Sequence, residues 1–279
     1  MPYSLAEAEL PNDMLSFLAG GERAMAAGAQ AISFATNGLA RDPDPRGPRG
    51  ERLLLPLEQL SLLAPIPRPG KLLCIGLNYR DHAQEMAMKL PDRPVLFAKF
   101  ANSVVGPGAP VVLPAISQQV DFEAELAVVI GKPARGVPPE RAMEYVAGYT
   151  IMNDVSARDI QFPDGQWIRG KTLDTFAPLG PALVTRDEVP DPHGLDISFR
   201  LNGRVMQSSN TRNLVFGVPE LVSFLCQAIT LEPGDVIATG TPAGVGHNRQ
   251  PPVYLKPGDV MVVEVEGIGV LENPVVGEE

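Results

Sequence analysis

The segment Asp121-Phe122-Glu123-Ala124-Glu125-Leu126-Ala127-Val128-Val129-Ile130 constrains this chain more than any other. Acidic and apolar residues alternate with period two, the repeat of a β-strand, before the run turns wholly apolar. On a strand, Glu123 and Glu125 project from one face about 7 Å apart, and Asp121 extends the row. A solvent-facing strand side would show the same alternation. The apolar tail Leu126–Ile130 argues for a strand entering the interior, where unpaired carboxylates are costly and something must compensate them.

The rest of the chain fits a β-rich architecture around that strand. Further strands are expected at Leu72–Gly76, Ala147–Met152, Ile197–Leu201, Val236–Ala238 and Met261–Val265, all rich in Val, Ile and Leu. One helix is expected over Pro219–Ile229, with Pro in its first turn and Leu221, Phe224, Leu225 and Ile229 on one face. Leu-x-Pro-Gly-Asp-Val occurs twice, at Leu231–Val236 and Leu255–Val260, and suits a tight turn feeding a strand. With 29 prolines among 279 residues, regular βαβ alternation is not expected. The stretch Pro65-Ile66-Pro67-Arg68-Pro69-Gly70 reads as a linker. It divides a small N-terminal domain, residues 1–68, from a main domain, 69–279. The first carries an alanine-rich, helix-leaning stretch and a Pro/Arg/Gly loop, RDPDPRGPRG, and reads as a packing or oligomerisation appendage. The fold class is mainly β with some α (α+β).

A net charge of −10 argues against nucleic acid, which needs a basic face. It also means that an anionic substrate requires local cations at its site. The start MPYSLAEAEL lacks the basic and apolar regions of a signal peptide, and nowhere do 18 apolar residues run together, so no membrane partner is expected. Cys74 and Cys226 lie in apolar stretches and suit free thiols in a reducing cytoplasm.

A second acid, Asp154, ends the apolar run Tyr149-Thr150-Ile151-Met152-Asn153. Two glutamates and one aspartate without His or Cys make a hard, all-oxygen set that selects Mg²⁺ or Mn²⁺, with Ca²⁺ as a further candidate, over zinc. His82, His193 and His247 are scattered without metal-ligand spacing. Three carboxylates around a dication leave one negative charge, so an anionic ligand needs another cation; Lys171, Lys99 and Arg80 are candidates. His82 and Glu85, three apart on a short helix, can hydrogen-bond as a base and its orienting carboxylate. A solvated polar helix would show the same spacing. Lys171 also closes a literal G-x-x-x-x-G-K-[ST] match at Gly165–Thr172, the phosphate-cradling loop. Neither a buried strand before it nor a helix after it is in view, because Pro178 and Pro181 follow.

Six segments in order, LLCIGLNYRDHAQEM, FAKFANSVVGPGAPVVLP, VDFEAELAVVIG, AGYTIMNDVSARDIQ, GKTLDTFAPLGP and TGTPAGVG, resemble the fumarylacetoacetate hydrolase family, including its bacterial acylpyruvate hydrolase and 2-hydroxyhepta-2,4-diene-1,7-dioate isomerase-like group. The resemblance covers roughly residues 70–276. It implies a layered mixed β-sandwich roll, usually a homodimer or larger, with Glu123, Glu125 and Asp154 on the Mg²⁺ or Mn²⁺. It also implies an active-site lysine at Lys171, a water-activating His82–Glu85 pair on a mobile lid, and Gln161 and Thr241 among substrate-contacting groups. The expected substrate is a small anionic 2-oxo acid. The expected reaction is hydrolysis of a C–C bond in an acylpyruvate-like β-diketo acid, through an enolate. Oxaloacetate decarboxylation and isomerisation or hydration of a heptadiene diacid share that enolate and remain alternatives. A nucleotide hydrolase and an inactive metal-binding scaffold are the readings from other classes.

Overall fold

A computed structural model describes residues 10–39, 42–47 and 49–278. Residues 1–9, on which the reading of the N-terminus as leaderless largely rests, lie outside the described residues. The chain divides into Met1–Leu62 and Leu63–Glu279, with the second unit beginning ahead of the expected boundary at 68. In the first unit the alanine-rich stretch is the helix Gly21–Leu39. It follows the short helix Met14–Ala19, whose Asp13 cap accepts from the Ser16 N–H at 2.8 Å.

The second unit is built on two sheets. One runs in the order β2 (Val95–Lys99), β1 (Leu72–Gly76), β12 (Val236–Ala238), β6 (Ala124–Ile130), β7 (Val146–Asn153), β9 (Ala177–Thr185), β3 (Val104–Val105). The other runs β11 (Arg204–Asn210), β10 (Asp196–Leu201), β13 (Val260–Val265), β14 (Gly269–Gly277), β4 (Val111–Leu113). A two-stranded ladder joins β5 (Val120–Asp121) to β8 (Ser156–Ala157). The sheets are mixed: β1–β12, β3–β9 and β4–β14 are parallel among otherwise antiparallel pairs. Every strand expected from the sequence is present. The expected helix occupies Val218–Ala228, where Glu220 accepts from the Gly217 N–H at 2.6 Å and Ile229 turns extended. Both Leu-x-Pro-Gly-Asp-Val copies are the same device. Gly234 and Gly258 take positive φ, and the Asp235 and Asp259 carboxylates accept from the Glu232 and Lys256 N–H groups as the chain enters β12 and β13.

Strand register sorts the seven-stranded sheet into two unlike faces. Leu73, Ile75, Leu126, Val128, Tyr149, Ile151 and Ile237 share a core cluster with Ile197, Phe199, Val263, Val265 and Leu271 of the other sheet. Phe122 stacks on Phe199 there, ring centroids 4.0 Å apart. Alternation sends Lys99, Phe97, Cys74, Gly76, Ala127, Ala238 and Glu125 to the opposite face. That face is also buried, yet it carries the charged and small residues from which the site is made.

Candidate active site

Glu123, Glu125 and Asp154 converge, each offering a carboxylate oxygen within 4.8 Å of the others. Glu125 lies on β6; Glu123 immediately precedes that strand and Asp154 follows β7, its antiparallel neighbour. The Asp154 N–H donates to the Glu123 carbonyl at 2.8 Å, and the Glu123 N–H donates to Asn153 Oδ1 at 3.0 Å. These bonds fix both backbone segments across the end of the ladder. Asp121 does not extend the row as expected. The chain leaves the β6 ladder at Phe122, and Asp121 pairs instead with Arg158.

Three buried cations answer the cluster. Lys171 Nζ lies 2.8 Å from Glu123 Oε2 and 2.6 Å from Asp154 Oδ2. Lys99 Nζ lies 2.5 Å from Asp154 Oδ1, and Arg158 Nη2 lies 2.6 Å from Glu123 Oε1 and 2.7 Å from Asp121 Oδ2. Although burial opposes it, Lys171 and Arg158 hold the Glu123 carboxyl down at about 2. Glu125 has the opposite fate. It makes no ion pair among the described residues; its Oε2 accepts from the Gly240 N–H at 2.8 Å. Burial, then the Asp154 and Glu123 charges, push its carboxyl well above the usual range. This buried acid without a cation partner among the described residues, inside a hard three-oxygen set, fits a dication. The charge balance fits as well. Asp121, Glu123, Glu125 and Asp154 exceed Lys99, Lys171 and Arg158 by one negative charge, which a dication turns into one positive charge for an anionic ligand.

His82 and Glu85 sit on the short helix Arg80–Glu85 that follows β1. His82 Nδ1 lies 3.3 Å from Glu85 Oε2. Glu85 also accepts from the Gly244 N–H at 3.0 Å and from Asn248 Nδ2 at 3.2 Å. Burial works against these bonds, and together with the His82 contact they still draw its carboxyl below the usual value. The nearly buried His82 ring, Lys171, Glu123 and Glu125 all line one cavity of about 200 Å³, as do Gln161 and Thr241.

Residues 71–276 match the family described as fumarylacetoacetate hydrolase, C-terminal. The chain belongs to the fumarylacetoacetate hydrolase family. Among curated relatives, oxaloacetate tautomerase Fahd2a, mitochondrial, of Rattus norvegicus is 47% identical over 96% of this chain and 80% of its own length. The Homo sapiens FAHD2A protein of the same description is 48% identical over 96% and 81%. Among solved structures, a putative HpcE protein from Mycobacterium smegmatis superposes with a TM-score of 0.81 at 35% identity, covering 99% of this chain and 92% of that one. This is therefore an enzyme-family fold whose compared members carry tautomerase, isomerase and hydrolase names.

In this family member not every expected residue enters the cavity. Arg80 is exposed, donates to the Arg212 and Leu214 carbonyls, and does not line the site. Lys99 is fully buried and holds Asp154 and the Val155 carbonyl from behind, so its charge reaches a ligand only through the cluster. The phosphate-loop match fails on context. Gly165–Thr172 follows the helix Arg158–Gln161 rather than a strand, and its lysine is already committed to two carboxylates. Nothing in the sequence pattern marks Arg158 or Gln207 as site residues. Gln207 accepts from the Ala124 N–H at 2.9 Å and donates to Thr241 Oγ1 at 2.8 Å, tying β6 to the cavity rim.

Proposed function

We propose that this chain is a Mg²⁺- or Mn²⁺-dependent enzyme that interconverts the keto and enol forms of small 2-oxo acids, oxaloacetate among them. The observation that carries this reading is one cavity lined by His82, Lys171, Glu123 and Glu125, with Asp154 completing the carboxylate cluster beside it. At roughly 30 Å³ per water, its volume equals about seven waters, room for a short acid. Bound by Glu123, Glu125 and Asp154, the dication would polarise the 2-oxo group and acidify the neighbouring carbon. Keto and enol forms differ by one proton, carried on C3 in one and on the C2 oxygen in the other. His82, oriented by Glu85, takes the proton from C3 and delivers it to the C2 oxygen, and carries it back in the reverse direction. Lys171 stabilises negative charge on the oxygen, while Gln161 and Thr241 bind carboxylate oxygens. The oxaloacetate tautomerase names of relatives 47–48% identical support this reaction.

A second reading is hydrolysis of acylpyruvates, in which His82 takes its proton from water. It is supported by the three protein donors that hold Glu85 ionised behind the imidazole. The deciding experiment measures ketonisation of enol-oxaloacetate and cleavage of acylpyruvates side by side with added Mn²⁺. Metal-dependent ketonisation that is lost in Glu125→Ala supports the proposal; cleavage that outpaces it moves the assignment to the hydrolase. A reducing, cytoplasmic setting belongs to the same proposal, supported by Cys74 and Cys226 being free and buried; the homodimer is proposed from the family resemblance alone.

A further inference from the structure

The cavity lining is of two chemical kinds. Glu123, Glu125, Lys171 and Arg158 are charged; Leu77, Met86, Met88, Phe97, Phe162 and Trp167 supply an apolar wall. Among the described residues the only lining cations are Arg158 and Lys171, and both are paired with carboxylates. Among these residues no unpaired cation is therefore left to meet a negatively charged group at the apolar wall. The wall is continuous with the chemistry. Lys171 Nζ stands 4.9 Å over the Phe97 ring, and Phe97 meets Trp167 edge to face at 5.4 Å. Trp167 in turn packs against the strand end at Gly76. A Cβ there would fall 2.4 Å from Trp167 Cζ3 and 2.8 Å from Cη2, so only glycine leaves the indole its seat.

We infer that Trp167, seated on Gly76 and against Phe97, is a specificity-determining residue that receives an apolar substituent carried beyond the 2-oxo acid head. The wall concerns groups farther out than the second carboxylate of oxaloacetate, which one methylene separates from the 2-oxo carbon. A charged group at that distance meets no counter-ion and loses its hydration. The inference rests on the proposed binding of a 2-oxo acid at the carboxylate cluster.

The test uses unreactive ligands on the Mn²⁺-loaded protein: oxalate, N-alkyl oxamates from methyl to pentyl, and a carboxylate-tipped analogue of the longest. Affinity is read by calorimetry. In the wild type each added methylene should raise affinity about two- to fourfold, fourfold being about 0.8 kcal/mol. The carboxylate-tipped analogue should bind at least about tenfold more weakly than the pentyl compound, as expected for a charge left unpaired against an apolar wall. Trp167→Ala should flatten this dependence while oxalate binding stays within about twofold, since oxalate carries no substituent to reach the wall; Trp167→Phe should restore part of it. Gly76→Ala should alter the chain-length dependence in the wild-type background and have no further effect in Trp167→Ala. If Trp167→Ala does not fold, Trp167→Phe and Gly76→Ala carry the test. An unchanged dependence in the folded variants overturns the inference alone. Failure of oxalate itself to bind the Mn²⁺-loaded wild type overturns the proposed function beneath it.

Discussion

Replacing Arg158 with leucine should affect stability and ligand charge preference in separable ways. The guanidinium donates through Nε and Nη2 to Asp121, pairs through Nη2 with Glu123, and donates through Nη1 to Gln161 Oε1 at 3.0 Å. Removing one partner of a buried ion pair typically costs about 3–5 kcal/mol. Here the loss should lie at the lower end. Asp121 keeps the N–H groups of Phe122, Gly246 and His247 at 2.9, 2.7 and 3.0 Å, and Glu123 keeps Lys171. About 3 kcal/mol lowers the folding constant roughly 100-fold. For a unit of this size it lowers the Tm by roughly 6–12 °C. Urea unfolding in chelator should show the loss as a lower midpoint with an unchanged slope. The charge effect has a different sign for each ligand. Without Arg158 the cluster carries one more net negative charge, so added Mn²⁺ should stabilise the variant more than the wild type. Oxalate, bound with the metal, should lose at least about tenfold in affinity, because the metal-loaded cluster no longer carries a net positive charge to attract an anion. A variant that unfolds within about 1 kcal/mol of the wild type in chelator, and binds oxalate as tightly, would refute the account of Arg158 as the buried counter-charge.

Glu125→Gln should make the metal-free protein more stable, by about 1–3 kcal/mol, since it removes a desolvated acid that has no cation partner, and should abolish the rise in Tm on adding Mn²⁺. Thermal scans with and without metal check both signs. His82→Ala should lower turnover by roughly 10² to 10⁴ while leaving the Mn²⁺-dependent Tm shift in place; near-native turnover would move the proton-transfer role elsewhere. Gln207→Leu should cost about 1–3 kcal/mol in chemical denaturation, because the Ala124 N–H and the Pro242 carbonyl lose their buried partner.

The strands were legible because β1, β6 and β12 are short apolar runs bounded by turn residues, and the Pro-Gly-Asp turns announce β12 and β13 directly. The carboxylates of the site were legible for a related reason. Acids written into such a strand have few explanations other than a bound cation. Their counter-charges were harder to place, because an Arg or Lys in sequence gives no sign of where its long side chain ends. Arg80 and Lys99 were both expected to serve the ligand; one caps carbonyls at the surface and the other supports Asp154 from behind. Arg158, unremarked in a polar helix, reaches Asp121 and Glu123 across 37 and 35 residues of chain. Asp121 was misplaced for a local reason, since two-residue periodicity holds only while a strand continues and this one breaks at Phe122.

The two faces of the seven-stranded sheet show why that difference in legibility is physical. On the core face, apolar side chains lock each strand against the other sheet, so hydrophobic pattern alone specifies the register. On the opposite face, Cys74, Gly76, Ala127 and Ala238 are small, Lys99 is paired and Glu125 is hydrogen-bonded only by residues brought from elsewhere in the chain, and Glu125 is left without a cation among the described residues. The core face fixes where Glu125 stands. The cations, the Gly240 N–H and the His82–Glu85 pair then decide what it can hold. A substitution on the core face should therefore act mainly through stability, whereas one on the site face should separate stability from ligand affinity, as Arg158→Leu and Glu125→Gln are expected to do.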